Sequence, residues 1–149
     1  MRATGVCGVR LPPARVRLAI WETGERSGRI RPVSRRILIV DDHSGFRASA
    51  RRMLEAGGFE VAGEAADAAS ARTAVAELAP DAVLLDVQLP DGDGIALAAE
   101  LVANGNAPEI VLCSSRGADE LGRALEASGA RGFLTKDELS PAGIRELLE

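Results

Sequence analysis

Residues 82–94 read AVLLDVQLPDGDG, and this stretch decides the fold. Val83, Leu84 and Leu85 form a short apolar run of the kind buried on both faces of a parallel sheet. The run ends on a carboxylate, Asp86, and Pro90, Gly92 and Gly94 break the pattern directly afterwards. Asp86 is therefore expected at the carboxyl end of a buried strand, facing a loop. In open α/β sheets that edge is where ligands bind. An acid placed there is costly to ionise unless a cation or a donor meets it, so its partners are to be sought at other strand ends.

The segments on either side repeat the pattern. Upstream, residues 37–40 are an apolar run ending in Asp41-Asp42 and read as the first strand. Residues 44–56 put Phe46, Ala50, Met53 and Leu54 on one helical face, with Gly57-Gly58 as the stop signal. Residues 59–62 alternate as a short second strand. Residues 67–78 read as an Ala-rich helix with Ala71, Val75 and Leu78 inward, ended by Pro80. Downstream, residues 94–103 read as the third helix, and 110–113 as the fourth strand, running into Ser114-Ser115. Residues 118–128 read as the fourth helix and 132–134 as the fifth strand, leading to Thr135-Lys136. Ser140 and Pro141 are a favourable N-cap and N1 pair for the last helix, with Ile144, Leu147 and Leu148 on its buried face. Five β/α units of this size predict an α/β fold with a doubly wound parallel sheet, since parallel neighbours need crossover helices.

Parallel strands bring their ends to one rim. Asp41, Asp42, Asp86, Ser114 and Lys136 are thereby expected to converge. Three bare carboxylates would repel one another and raise at least one pKa. A hard divalent cation such as Mg²⁺ relieves that conflict, and a lysine and a hydroxyl suit a phosphoryl group on the remaining acid. Each residue also has a plainer reading. Asp41-Asp42 alone could cap the first helix, but not beside Asp86 and Lys136. His43 reads as a solvated loop residue, Ser115 and Thr135 as turn or capping residues, and Phe46, Leu121 and Leu125 as core. The run from Pro90 to Gly94 lacks the spaced acids and terminal Glu of a calcium loop.

Residues 35–149 resemble the receiver domain of bacterial two-component response regulators, of the stand-alone, CheY-like kind. The resemblance rests on LIVDDH (38–43), LLDVQLPDGDG (84–94), VLCSS (111–115) and GFLTKDELSP (132–141). It implies a flavodoxin-like five-stranded sheet of order 2-1-3-4-5 with five helices, and Mg²⁺-dependent transfer of a phosphoryl group from a histidine kinase or phosphotransfer protein. Carried over position by position, Asp86 matches the phosphoacceptor, and Asp41 and Asp42 the acidic pair holding Mg²⁺. Gln88 is expected to add a backbone carbonyl to the metal. Ser114 matches the switch hydroxyl, Phe133 the aromatic switch position and Lys136 the phosphate-binding lysine. The output surface would be the fourth helix, fifth strand and fifth helix, acting on an unknown downstream protein. Phe133 has no hydroxyl, and the last helix is short for the family. Replacing Lys136 by alanine is expected to leave the fold largely intact.

Charge and composition bound the rest. Residues 1–36 carry nine arginines against Glu22 and Glu25, whereas from residue 37 onward nine basic groups face twenty acidic ones. The arm, residues 1–34, reads as a disordered basic extension that translation from a start near Val33 would omit; residues 35–149 are the domain. Two cysteines are too few for a disulfide framework, and no apolar run approaches a membrane span. A cytoplasmic location is expected, with no membrane association, no DNA binding by the acidic body, no turnover enzymology, and a monomer or phosphorylation-dependent homodimer. A receiver that docks without being phosphorylated is the alternative. A phosphatase with an aspartyl-phosphate intermediate would want a second Asp where Gln88 stands.

Overall fold

The computed structural model describes residues 9–10, 35–105, 107–117 and 121–149. Five parallel strands form its centre: β1 (Arg36–Val40), β2 (Glu60–Ala65), β3 (Ala82–Asp86), β4 (Glu109–Ser114) and β5 (Gly132–Thr135). Their spatial order is 2-1-3-4-5, as the resemblance implies. A two-residue strand, Val9–Arg10, adds antiparallel to the outer edge of β5. The remainder of the predicted disordered arm lies outside the described residues.

Period-two alternation sorts the strand side chains onto two layers. Ile37, Ile39, Ala82, Leu84, Val111, Cys113 and Leu134 pack on one face with α1 (Ser44–Ala56) and α5 (Pro141–Leu148). Leu38, Val40, Val83, Leu85, Ile110, Leu112 and Phe133 face the other way. There they meet α2 (Ala68–Leu78), α3 (Gly94–Val102) and α4 (Arg123–Ala127). All five residues of β3 are buried, so this strand belongs to both layers. Each fully buried aliphatic side chain contributes roughly 1.5–3 kcal/mol. The exposed ion pair of Arg72 in α2 with Glu100 in α3 adds little beside that.

Two elements differ from their sequence reading. β2 runs on to Ala65 instead of stopping at Ala62, because a register shift opposite Ile37 and Leu38 skips one residue and ends the apolar alternation there. α4 begins at Arg123, not before Leu121. Gly122 has φ +56, and Leu121 and Gly122 form a turn. The predicted start at residues 118–120 lies outside the described residues. No helix among the described residues is long and apolar enough to cross a membrane.

The loop after Asp86 is held by its own acids. Asp91 accepts hydrogen bonds from the Ala68 and Ala69 N–H groups at the start of α2, at 2.7 and 3.1 Å. Asp93 is the N-cap of α3 and accepts from Ile95 N–H. Gly94 packs against the Asp86–Val87 backbone: a Cβ there would collide with Asp86 O and lie 2.8 Å from Val87 Cα. Gly94→Ala should accordingly lower stability by roughly 2–3 kcal/mol, read as a lower urea midpoint. Gly45→Ala, in the first turn of α1 with nothing within 4 Å of the new methyl, should raise the midpoint slightly. Equal midpoints for the two variants would show that the loop yields freely.

Candidate functional site

The same alternation decides which side chains meet at the rim. Ile37 and Ile39 continue to Asp41, Ala82 and Leu84 to Asp86, and Leu134 to Lys136, all on the α1/α5 side. Asp41 is fully buried and Asp86 nearly so, at 0% and 4% exposure. Lys136, from the 3₁₀ turn that follows β5, puts its Nζ 2.6 Å from Asp41 Oδ2 and 3.6 Å from Asp86 Oδ2. The only lysine of the chain thus lies between two acids more than forty residues apart in sequence.

The loop between β1 and α1 is fixed by its own donors. Asp41 Oδ1 accepts from His43 N–H at 2.8 Å, and Arg47 Nη1 donates to the Asp41 carbonyl at 2.6 Å. Phe46, read from the sequence as core, is half-buried at the rim, and Lys136 Nζ stands 4.5 Å from its ring centroid. That arrangement favours the ammonium form of Lys136. Arg47 and Phe46 were not singled out for the site. The helical spacing of Phe46 with Ala50, Met53 and Leu54 marks the buried face of α1 but not which end of it meets the sheet rim, and Arg47, one residue on, lies off that series.

Among the described residues the Asp86 side chain has only long contacts, a 3.4 Å hydrogen bond from Gln88 N–H and the 3.6 Å approach of Lys136. Burial, followed by the charge of Asp41, pushes its pKa up to about 6 against the smaller opposing pull of Lys136. Burial draws the Lys136 pKa down, but the hydrogen bond to Asp41 and the nearby Asp86 charge outweigh it and hold it above the ordinary lysine value. Burial also pushes the Cys113 thiol up, so this cysteine stays an inert strand residue. Asp42, His43, Asp86, Gln88, Ser115 and Lys136 border a cavity of about 190 Å³. Ser115, read as a turn residue, therefore belongs to the rim of the acid site.

Ser114 does not border that cavity. It continues Ile110 and Leu112 on the opposite face, is buried, and its Oγ accepts from Arg116 N–H at 3.1 Å. It lines a neighbouring cavity of about 470 Å³ with Gln88, Arg116, Leu121 and Ala124. Phe133 is buried on that same face. The structure thus groups Asp42, Asp86 and Lys136 at one pocket, with the buried Asp41 paired to Lys136, and sets Ser114 and Phe133 on the α4 side.

Residues 37–149 match the family pattern of the response regulator receiver domain. The chain belongs to the response regulator receiver family. It is 37% identical over 127 residues to the transcriptional regulatory protein PdtaR of Mycobacterium tuberculosis, covering 85% of this chain and 59% of PdtaR. It is 31% identical over 116 residues to the chemotaxis protein CheY of Thermotoga maritima, covering 78% of this chain and 96% of CheY. Among solved structures, a LuxR-family two-component response regulator from Aurantimonas sp. SI85-9A1 superposes with a TM-score of 0.68 at 31% identity, over 76% of this chain and 81% of that one. Receiver domains work with histidine kinases or phosphotransfer proteins and with downstream partners, and generally bind Mg²⁺ at an acidic pocket. The pocket here fits such an ion: its acids supply hard oxygen donors, and a single ammonium faces three carboxylates.

Two variants test this electrostatics. Because the folded pKa of Asp86 lies above the unfolded value of about 3.9, its contribution to stability is whole below that value and is lost as pH rises through about 6. Asp86→Asn should melt a few degrees higher than the parent at pH 7.5 in the absence of divalent cations, with the gap closing towards pH 4. A gap that does not change with pH would contradict the raised pKa. Lys136→Ala strips the cation from a fully buried Asp41, which revises the expectation that the fold would be largely indifferent to it. A loss of roughly 2–3 kcal/mol at pH 7.5 is expected, and an unchanged denaturation midpoint would show Asp41 finding another partner.

Proposed function

We propose that this receiver accepts a phosphoryl group on Asp86 from a phosphohistidine of a histidine kinase or phosphotransfer protein, and through that charge controls a partner protein. The observation that supports this reading best is the placement of Lys136 Nζ between Asp41 and Asp86 at the mouth of a cavity that Asp86 enters with no close partner. A carboxylate so placed is a nucleophile with its flank open. Attack by an Asp86 oxygen on phosphorus forms the acyl phosphate as the phosphorus–nitrogen bond of the donor breaks, and the imidazole leaves with the bonding electron pair.

Asp41, Asp42, Asp86 and the Gln88 carbonyl are the residues that would hold Mg²⁺. Bound there, the ion would neutralise charge developing on the phosphoryl oxygens. Lys136 keeps the ammonium form needed to pair with an added phosphoryl oxygen, because Asp41 and Phe46 both favour that form. Asp41 anchors Lys136 from beneath. Ser114 and Phe133 serve as the switch pair on the far face, and the surface of α4, β5 and α5 is the output. The phosphoryl group stays on the chain, so the protein acts stoichiometrically and not as a turnover enzyme, in the cytoplasm, and without contacting DNA through its acidic body.

Intact-mass analysis of the chain with Mg²⁺ and acetyl phosphate tests the chemistry. A phosphate-sized gain that needs Mg²⁺ and disappears in Asp86→Asn is the expected result. Undiminished labelling of that variant would remove Asp86 as acceptor. No labelling by acetyl phosphate or by a phosphorylated kinase would favour a receiver that docks without phosphorylation.

A further inference from the structure

His43 is the only histidine in the chain, and the chemistry above leaves it without a task. Its ring is largely exposed, yet Nδ1 lies 3.2 Å from Asp41 Oδ1 and 3.2 Å from Asp42 Oδ1. One ligand-capable atom from each of these three residues falls within 4.8 Å of the others. Carboxylate oxygens only accept hydrogen bonds, so a hydrogen on Nδ1 is donated to Asp41 Oδ1, with Asp42 Oδ1 equally near. That hydrogen occupies the spot a cation would take. Ligands on adjacent corners of an octahedral ion with bonds near 2.1 Å are separated by roughly 3 Å, close to the two distances found. The neighbouring Asp86, nearly fully buried, faces the same cavity, and among the described residues its side chain has no polar contact shorter than 3.4 Å.

We propose that His43 Nδ1 is a protein ligand of the divalent cation bound by Asp41 and Asp42. This makes the acidic site a mixed nitrogen and oxygen site that prefers Mn²⁺ and later first-row ions to Mg²⁺. The proposal rests on the reading of the acidic pair as the cation site. Ligation needs only a change of tautomer: the ring hydrogen moves to the solvent-facing Nε2 and leaves the Nδ1 lone pair on the metal. Imidazole strengthens binding of transition-metal ions, whereas Mg²⁺ is served almost as well by water in that position. The backbone of His43 keeps its present work throughout, donating to Asp41 Oδ1 and standing at the N-cap of α1.

The test uses the full chain without a histidine tag, loaded with Mn²⁺, which has little affinity for the cysteine thiolates that other ions would seek. Pulsed electron paramagnetic resonance should show coupling of Mn²⁺ to a ¹⁴N nucleus, and with one histidine present the assignment is unambiguous. The coupling should vanish in His43→Ala and in His43→Gln, the second retaining a polar side chain at the cap. Mn²⁺ affinity should fall at least about tenfold, the scale on which even residues behind metal ligands act, with Mg²⁺ affinity changing much less. Asp42→Asn separates the two levels of the reading. Mn²⁺ binding that this variant abolishes, but that shows no nitrogen coupling in the parent, would overturn the role of His43 and leave the acidic site standing. Binding indifferent to Asp42→Asn, or no Mn²⁺ binding at all, would overturn both.

Discussion

A single ammonium placed between buried carboxylates is the constraint on which the site depends. The sheet is assembled by apolar alternation, and that alternation delivers Asp41 and Asp86 to neighbouring strand ends with almost no exposure. Left alone they would oppose each other's ionisation, and the elevated pKa of Asp86 comes first from its burial and then from the charge of Asp41, with Lys136 offsetting part of both. Asp41 takes the short contact and Asp86 the long one. The asymmetry matters chemically. The acid with the short contact holds the ammonium in place, whereas the one left with long contacts keeps its oxygens open to the cavity.

The surroundings keep that asymmetry in place. Arg47 fixes the carbonyl of Asp41, and Gly94 lets the start of α3 close onto the backbone of Asp86 and Val87. Asp91 and Asp93 spend their charge on helix N-termini instead of on the pocket. The run PDGDG, whose acids invite a metal-loop reading, is thus a pair of caps that anchors the loop carrying Gln88. Of the five acids in these two loops, Asp42 and Asp86 border the pocket, and the fully buried Asp41 holds the Lys136 that borders it.

Most of the fold was legible because the signals are local. Apolar runs ending in acids, the Ser140-Pro141 start of α5 and the Gly57-Gly58 stop of α1 each carry their own physical cause, and the structure places them as read. What was not legible depends on register or on a single backbone angle. The skipped residue in β2 and the positive φ of Gly122 leave no periodicity to detect. The division of the site itself was readable in principle. Ser114 follows Leu112 by two residues, as Asp86 follows Leu84, but β4 and β3 pair in register as Asp86 with Cys113. Ser114 therefore points to the face opposite Asp86. Treating all strand ends as one cluster discards this parity, and with it the finding that the acids and the candidate switch residues lie on different sides of the sheet.

That separation determines which element can respond most cheaply to events at Asp86. α5 buries three side chains in eight residues, and α3 buries three, besides Gly94, in nine. α4 is five residues long, buries only Leu125, and borders the cavity of about 470 Å³ shared with Ser114 and Arg116. At roughly 1.5–3 kcal/mol for each buried aliphatic side chain, shifting α4 disturbs far less packing than shifting either neighbour, and the void beside it supplies room. Its C-terminal end is better held: Ser128 Oγ donates to Leu125 O at 2.6 Å and accepts from Ala130 N–H at 3.1 Å. Movement is therefore cheapest at the N-terminal end of α4, next to Ser114, pivoting on the anchored Ser128.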